Sequence, residues 1–189
     1  IYIYDEQQLP SLTGAAVVKR TTEMKRNSWQ EYQKEVADDR YYYLRSCIRQ
    51  NFFPGSEKAF VRILRQELGR DLFDDPVHTS CTGIGYHSDI VPLETIMTVV
   101  ARQFALASEA GYENLAVSCI TSFGIYTEIL ETWQEFPELE AKVREHLFRA
   151  TGREFRKPKN VSHASDIIFH HREAIRQRAA YLLVNRRTG

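Results

Sequence analysis

Two rhythms of apolar residues take turns along this chain, one alternating as in a strand and one recurring every three to four residues as in a helix. From Tyr41, "YYYLRS" is short, aromatic and strand-like. In "SEKAFVRILRQELG", Phe60, Ile63, Leu64 and Leu68 fall on one helical face, with Ser56 suited to the N-cap and Gly69 to the position just past the end. "RDLFDD" reads as a second short strand. "PLETIMTVVARQFALASEAG" is the clearest helix: Pro92 stands near its start, Gly111 ends it, and Leu93, Ile96, Met97, Val100, Phe104 and Ala107 form one stripe. Burying the five large side chains of that stripe is worth roughly 10 kcal/mol, so it reads as core. "NLAVSC" is a third strand, apolar enough for burial on both faces. "GIYTEILETWQEF" and "PELEAKVREHLFRATG" read as consecutive helices, the second opening with Pro137 and closing before Gly152. A fourth strand is expected near Val161, followed by a closing helix. This alternation predicts an α/β fold: a doubly wound, mostly parallel four-stranded sheet with flanking helices.

Residues 1–40 follow neither rhythm well. "IYIYDEQQLPSLTG" suits an extended arm, and the charged stretch after it has only a thin apolar trace at Val17, Val18, Met24 and Trp29. It fits a helix lying on a neighbour, or a solvated helix and linker. The expected division is therefore 1–40 as an N-terminal arm or interface helix and 41–189 as the α/β domain.

Charge narrows the function classes. Lys+Arg and Asp+Glu both number 25, so a wholesale electrostatic grip on nucleic acid or an anionic membrane is not expected. No apolar run approaches the roughly 20 residues of a membrane-spanning helix. Three widely spaced cysteines do not make a secreted disulfide framework, and a reducing cytoplasm is the expected compartment.

The cysteines have related settings. Cys47 follows the first strand, Cys81 lies in the loop after the second, and Cys119 ends the third. In an open parallel sheet the loops after the carboxyl ends of the strands share one rim, where ligands bind. Two readings stand: three separate core thiols, or three arms of one site. In "SCTGIGYHSD", Gly83 and Gly85 let the backbone approach a bulky group. His78, His87 and Asp89 are either further ligands or plain loop residues, while His163, His170 and His171 read as structural or exposed. A structural zinc site usually includes a closely spaced ligand pair, and these cysteines stand singly.

The run C47-x33-C81-T82-G83-x35-C119-x2-S122 resembles the cysteine-rich CCG domain of the heterodisulfide reductase B subunit and its relatives. Residues 41–172 carry the likeness, supported by "EKAFVRILRQELGRDLFDD" and "ETIMTVVARQFALASEAGYENLAVSC". The resemblance implies a flavodoxin-like domain, usually present twice per chain, whose five cysteines hold a non-cubane iron–sulfur cluster. Here the motif is degenerate and single: Thr82 replaces the second cysteine of CCG and Ser122 the last of CxxC.

Cys47, Cys81 and Cys119 are thus the implied metal ligands, with Thr82, Gly83 and Ser122 lining the cofactor. A hydroxyl is a poorer iron ligand than a thiolate, which points to a 4Fe-4S or 3Fe-4S cluster rather than the non-cubane type. The implied partners are a ferredoxin-like iron–sulfur subunit, a flavoprotein and a second CCG-domain chain. Three functions are consistent with these residues. One is an electron-transfer subunit acting on disulfide or sulfur substrates, with Ser122 and His87 lining the approach. The second is a cluster-free scaffold for a catalytic partner. The third is a thiol enzyme with His87 as base.

Overall fold

The computed structural model describes residue 36, residues 39–75 and residues 91–188, all within the compact unit Gln33–Gly189. Cys81, Thr82, Gly83, Gly85, His78, His87 and Asp89 lie outside the described residues, as do residues 1–35 of the expected arm.

The elements run β1 (Arg40–Leu44), α1 (Cys47–Phe52), α2 (Pro54–Arg62, continued by a wider π turn at Ile63–Glu67), β2 (Asp71–Asp74) and α3 (Leu93–Glu109). Then follow β3 (Asn114–Val117), α4 (Ile120–Glu135), α5 (Pro137–Thr151), β4 (Asn160–His163), α6 (Ala164–His170) and α7 (Arg172–Thr188). The four strands form one sheet in the order β2-β1-β3-β4, every pair parallel. This is the flavodoxin-type order, in which the direction of winding reverses between the first and third strands.

Side chains alternate across a strand, and both faces are apolar. On one face Tyr41, Tyr43, Leu72 and Ala116 pack with Phe60 of α2, Leu64 of its π turn, and Ala164 and Ile167 of α6. Tyr42, Leu44, Leu115 and Val117, one step along, point to the other face and are no more than 1% exposed. There Phe104 of α3 meets Tyr126 and Trp133 of α4 at 5.8 and 6.1 Å between ring centroids. Phe155 closes this cluster, 5.3 Å from Trp133. The expected α3 stripe is buried at Ile96, Met97, Val100, Phe104 and Ala107, so it is core.

Three boundaries differ from the pattern-based reading. Ser56 is not an N-cap: α2 begins at Pro54 with Phe53 as its cap, and the Ser56 hydroxyl donates back to the Phe53 carbonyl at 2.8 Å. Proline at the first helical position sets that start. The short helix α1 buries none of its six residues, so it leaves no periodic trace. Helix α4 begins at Ile120, four residues before the expected "GIYTEIL", and this makes Cys119 its N-cap rather than the last residue of β3.

Candidate functional site

The carboxyl rim of the sheet is built on either side of the switch point. Leu44 and Val117 are register partners at the ends of β1 and β3, and the Ser118 amide continues the ladder by donating to the Leu44 carbonyl at 3.0 Å. Neighbouring strands lie about 4.8 Å apart. Three residues beyond Leu44 comes Cys47, and two beyond Val117 comes Cys119. Neither cysteine is in a disulfide; Cys47 is exposed and Cys119 half-buried.

Each cysteine opens a helix. Ser46, 3% exposed, caps α1 by accepting the Arg49 amide at 3.3 Å, which sets Cys47 in the first turn. Cys119 is the N-cap of the 16-residue α4, with no cap hydrogen bond closed on its side chain. Burial pushes its thiol up, but the amide and hydroxyl of Ser122, and then those of Thr121, outweigh that and hold it below the ordinary cysteine value. These donors favour the thiolate, as a helix N-terminus does. Ser122 and Thr121 therefore bias the Cys119 thiol toward its thiolate.

Beneath the cysteines lies a polar layer. Glu57, 7% exposed in the first turn of α2, accepts hydrogen bonds from the Tyr43 phenol of β1 and the Ser118 hydroxyl on separate carboxyl oxygens. Burial, then the bond to Glu57, raise the Tyr43 phenol far above its usual value, so Tyr43 stays a donor. On the other face of the sheet Tyr42 donates to Asp75 at 2.5 Å, and past the end of β1 Arg45 grips both oxygens of Asp74 at 2.5 and 2.6 Å. Asp74 and Asp75 are the last described residues before Cys81 in the chain.

At β4, His163 pairs in register with Val117. It is 8% exposed, its Nδ1 lies 2.7 Å from the Ser165 hydroxyl, and its ring is 6.0 Å from Phe123. Burial lowers its pKa, helped by Arg49 and opposed by Asp166 and the Ser118 backbone. Apolar side chains in the segments that follow β1 and β3 stand in solvent: Ile48, Phe52, Phe53 and Ile120 are 57–73% exposed.

Of the sequence-predicted site residues, the structure thus brings Cys47, Cys119 and Ser122 to one rim. Among the described residues, no group of three or more His, Cys, Asp or Glu is placed to hold a metal ion. Pattern reading passed over Glu57, Ser118 and Tyr43. The legible signal was Glu57 itself, a charged residue three positions before Phe60 and seven before Leu64, on the apolar face of α2.

Comparison with known proteins adds a distant relative. The chain is 27% identical over 152 residues to the B subunit of ferredoxin:CoB-CoM heterodisulfide reductase from Methanosarcina acetivorans, a match covering 76% of this chain and 48% of the relative. The chain thus spans about half the length of that curated relative. No family model matches. Among solved structures, a hypothetical protein from Helicobacter pylori superposes with a TM-score of 0.53 at 15% identity, over 80% of this chain and 32% of the other. At that identity the likeness is one of fold. Among the described residues no helix is long and apolar enough to cross a membrane.

Proposed function

We propose that this chain is a redox subunit of a heterodisulfide-reductase-like complex, holding an iron–sulfur cluster of the 4Fe-4S or 3Fe-4S type on Cys47, Cys81 and Cys119. The carrying observation is that Cys47 and Cys119 leave neighbouring strands on opposite sides of the switch point, where α/β sheets bind ligands, with the Cys119 thiolate favoured. The distant similarity to a heterodisulfide reductase subunit supports the same reading.

The donor set suits the group. Thiolates are the ordinary ligands of iron–sulfur clusters, and the described rim supplies two of the three sulfurs. Cys81 is the third in this proposal. The cluster, when bound, supplies one-electron transfer. The chain's own residues orient and shield: Ser46 sets Cys47 in its turn, Ser122 and Thr121 stabilise the Cys119 thiolate, and Thr82 and Gly83 line the cavity. A ferredoxin-like subunit and a flavoprotein bring electrons, and a second CCG-domain chain completes the pair. Residues 1–40 form a subunit interface, residues 41–189 form the cluster domain, and the complex works in the cytoplasm on disulfide or sulfur substrates.

A second reading has its own support. Ser122 stands at a family cysteine position, where a hydroxyl is a poorer iron ligand than a thiolate, as in a domain that has lost its cluster and serves as a scaffold. Iron and acid-labile sulfide assays with paramagnetic resonance on anaerobically purified complex separate the two. The redox reading expects both elements, a cluster signal, and loss of all three in Cys119→Ala. A complex that assembles fully without iron overturns it in favour of the scaffold.

A further inference from the structure

Two segments carry the described cysteines, and one side chain ties them together. Tyr43 lies on β1, four residues before Cys47, and Ser118 immediately precedes Cys119. Glu57 accepts a hydrogen bond from each, one per carboxyl oxygen. All three residues are buried, at 1%, 2% and 7% exposure for Tyr43, Ser118 and Glu57. Glu57 stands in the first turn of α2, which follows α1 after a single residue, so the chain bearing Cys47 is also held from its far side. Ser118 is fixed twice, by its amide to Leu44 and by its hydroxyl to Glu57.

From this juxtaposition we infer that Glu57 is a positioning residue: it spans the switch point and sets the spacing of Cys47 and Cys119 by fixing the roots of both turns. The inference rests on the shared-thiol reading above for its purpose, and on the hydrogen bonds alone for its geometry. A buried carboxyl on an otherwise apolar helix face is costly unless it is fully paired, and its two acceptor oxygens are used on β1 and on the residue just past β3. Residues that orient metal ligands from behind typically alter metal affinity about 10–100-fold when removed.

The test uses the full chain, reduced and free of metal, with cobalt(II) alone as the probe. The wild type is expected to bind cobalt with a thiolate charge-transfer band. Glu57→Ala is expected to weaken that binding about 10–100-fold, while Glu57→Gln, which keeps the size, one acceptor and a donor for the Ser118 hydroxyl, restores most of it. Amide hydrogen exchange should quicken in Glu57→Ala at residues 45–48 and 118–122 together. Cobalt affinity unchanged in a folded Glu57→Ala, or exchange that quickens at neither segment or at one alone, overturns the inference. A wild type without a thiolate band sinks the shared-thiol reading instead, and the exchange result still decides the positioning. Where Glu57→Ala fails to fold, Tyr43→Phe and Ser118→Ala each cut one arm. The first should loosen 45–48 and the second 118–122, and no loosening in either overturns the claim.

Discussion

Leu44 and Val117 stand opposite each other at the ends of β1 and β3, the two strands between which the sheet reverses its winding. Everything chemical on this rim descends from that pairing. The strands are hydrogen-bonded neighbours, so the residues just past them leave the sheet side by side, one turning into α1 and the other into α4.

That proximity is open to chemical cross-linking. A monosubstituted arsenical, which condenses with two nearby thiols and releases water, is expected to bridge Cys47 and Cys119 in a Cys81→Ala variant. Mass spectrometry of the intact chain reads one arsenic per protein and no remaining free thiol. Retention of both free thiols would show the sulfurs to be out of reach of one another.

Cys119 should react as a low-pKa thiol. Its folded-state value lies below the ordinary 9.0, because the donors of Ser122 and Thr121 outweigh burial. The pH–rate profile for iodoacetamide at Cys119 is therefore expected to turn at lower pH than in the unfolded chain. The depressed value also makes thiolate formation stabilising: the gain is complete above the unfolded pKa and is lost as pH falls through the folded one. Ser122→Ala should move the turning point upward.

His163 contributes acid sensitivity in a different window. Burial holds its folded pKa below the ordinary 6.5, so between the two values the unfolded chain binds more protons and stability rises with pH. Its contribution is complete above about pH 6.5 and is lost as pH falls toward the folded value. For Glu140, burial is opposed and overcome by Lys157 and Arg144, which keep it below 4.5, so its loss comes at lower pH. His163→Asn is expected to flatten the upper part of the melting-temperature profile and leave the lower part intact.

Gly152 offers a purely conformational test. It ends α5 at φ +68°, and a Cβ there would meet nothing within 4 Å. Gly152→Ala should therefore cost about 1–2 kcal/mol from backbone strain alone, read by denaturant unfolding. A neutral result would mean that the helix end relaxes out of the left-handed region.

Phe52 and Phe53 are 73% and 63% exposed, so Phe52→Ser should change stability by no more than about 0.5 kcal/mol, and Phe53→Ser, which puts a favoured residue at the N-cap of α2, should not destabilise. The pair should bind less of an apolar dye than the wild type does. A loss of several kcal/mol would show that these rings pack against the chain in solution.

The sequence by itself determined the alternation of strands and helices, because that is written in local periodicity: the α3 stripe, the glycines at 69, 111 and 152, and the apolar run of β3 each act within a few residues. It also placed Cys47 and Cys119 just past the first and third strands, since a thiol near a strand end is visible in one dimension. Only the tertiary structure decided that Cys47 and Cys119 flank the switch point, because strand order depends on pairings between residues more than seventy positions apart. The same holds for Glu57. Its charge is legible, but its partners come from β1 (Tyr43) and from the turn just past β3 (Ser118), and no local pattern brings them to one carboxyl group. Helix starts were settled by both levels at once: Pro54 fixed α2 through its own ring, while α4 could begin at Ile120 because the sheet had already delivered Cys119 to the rim.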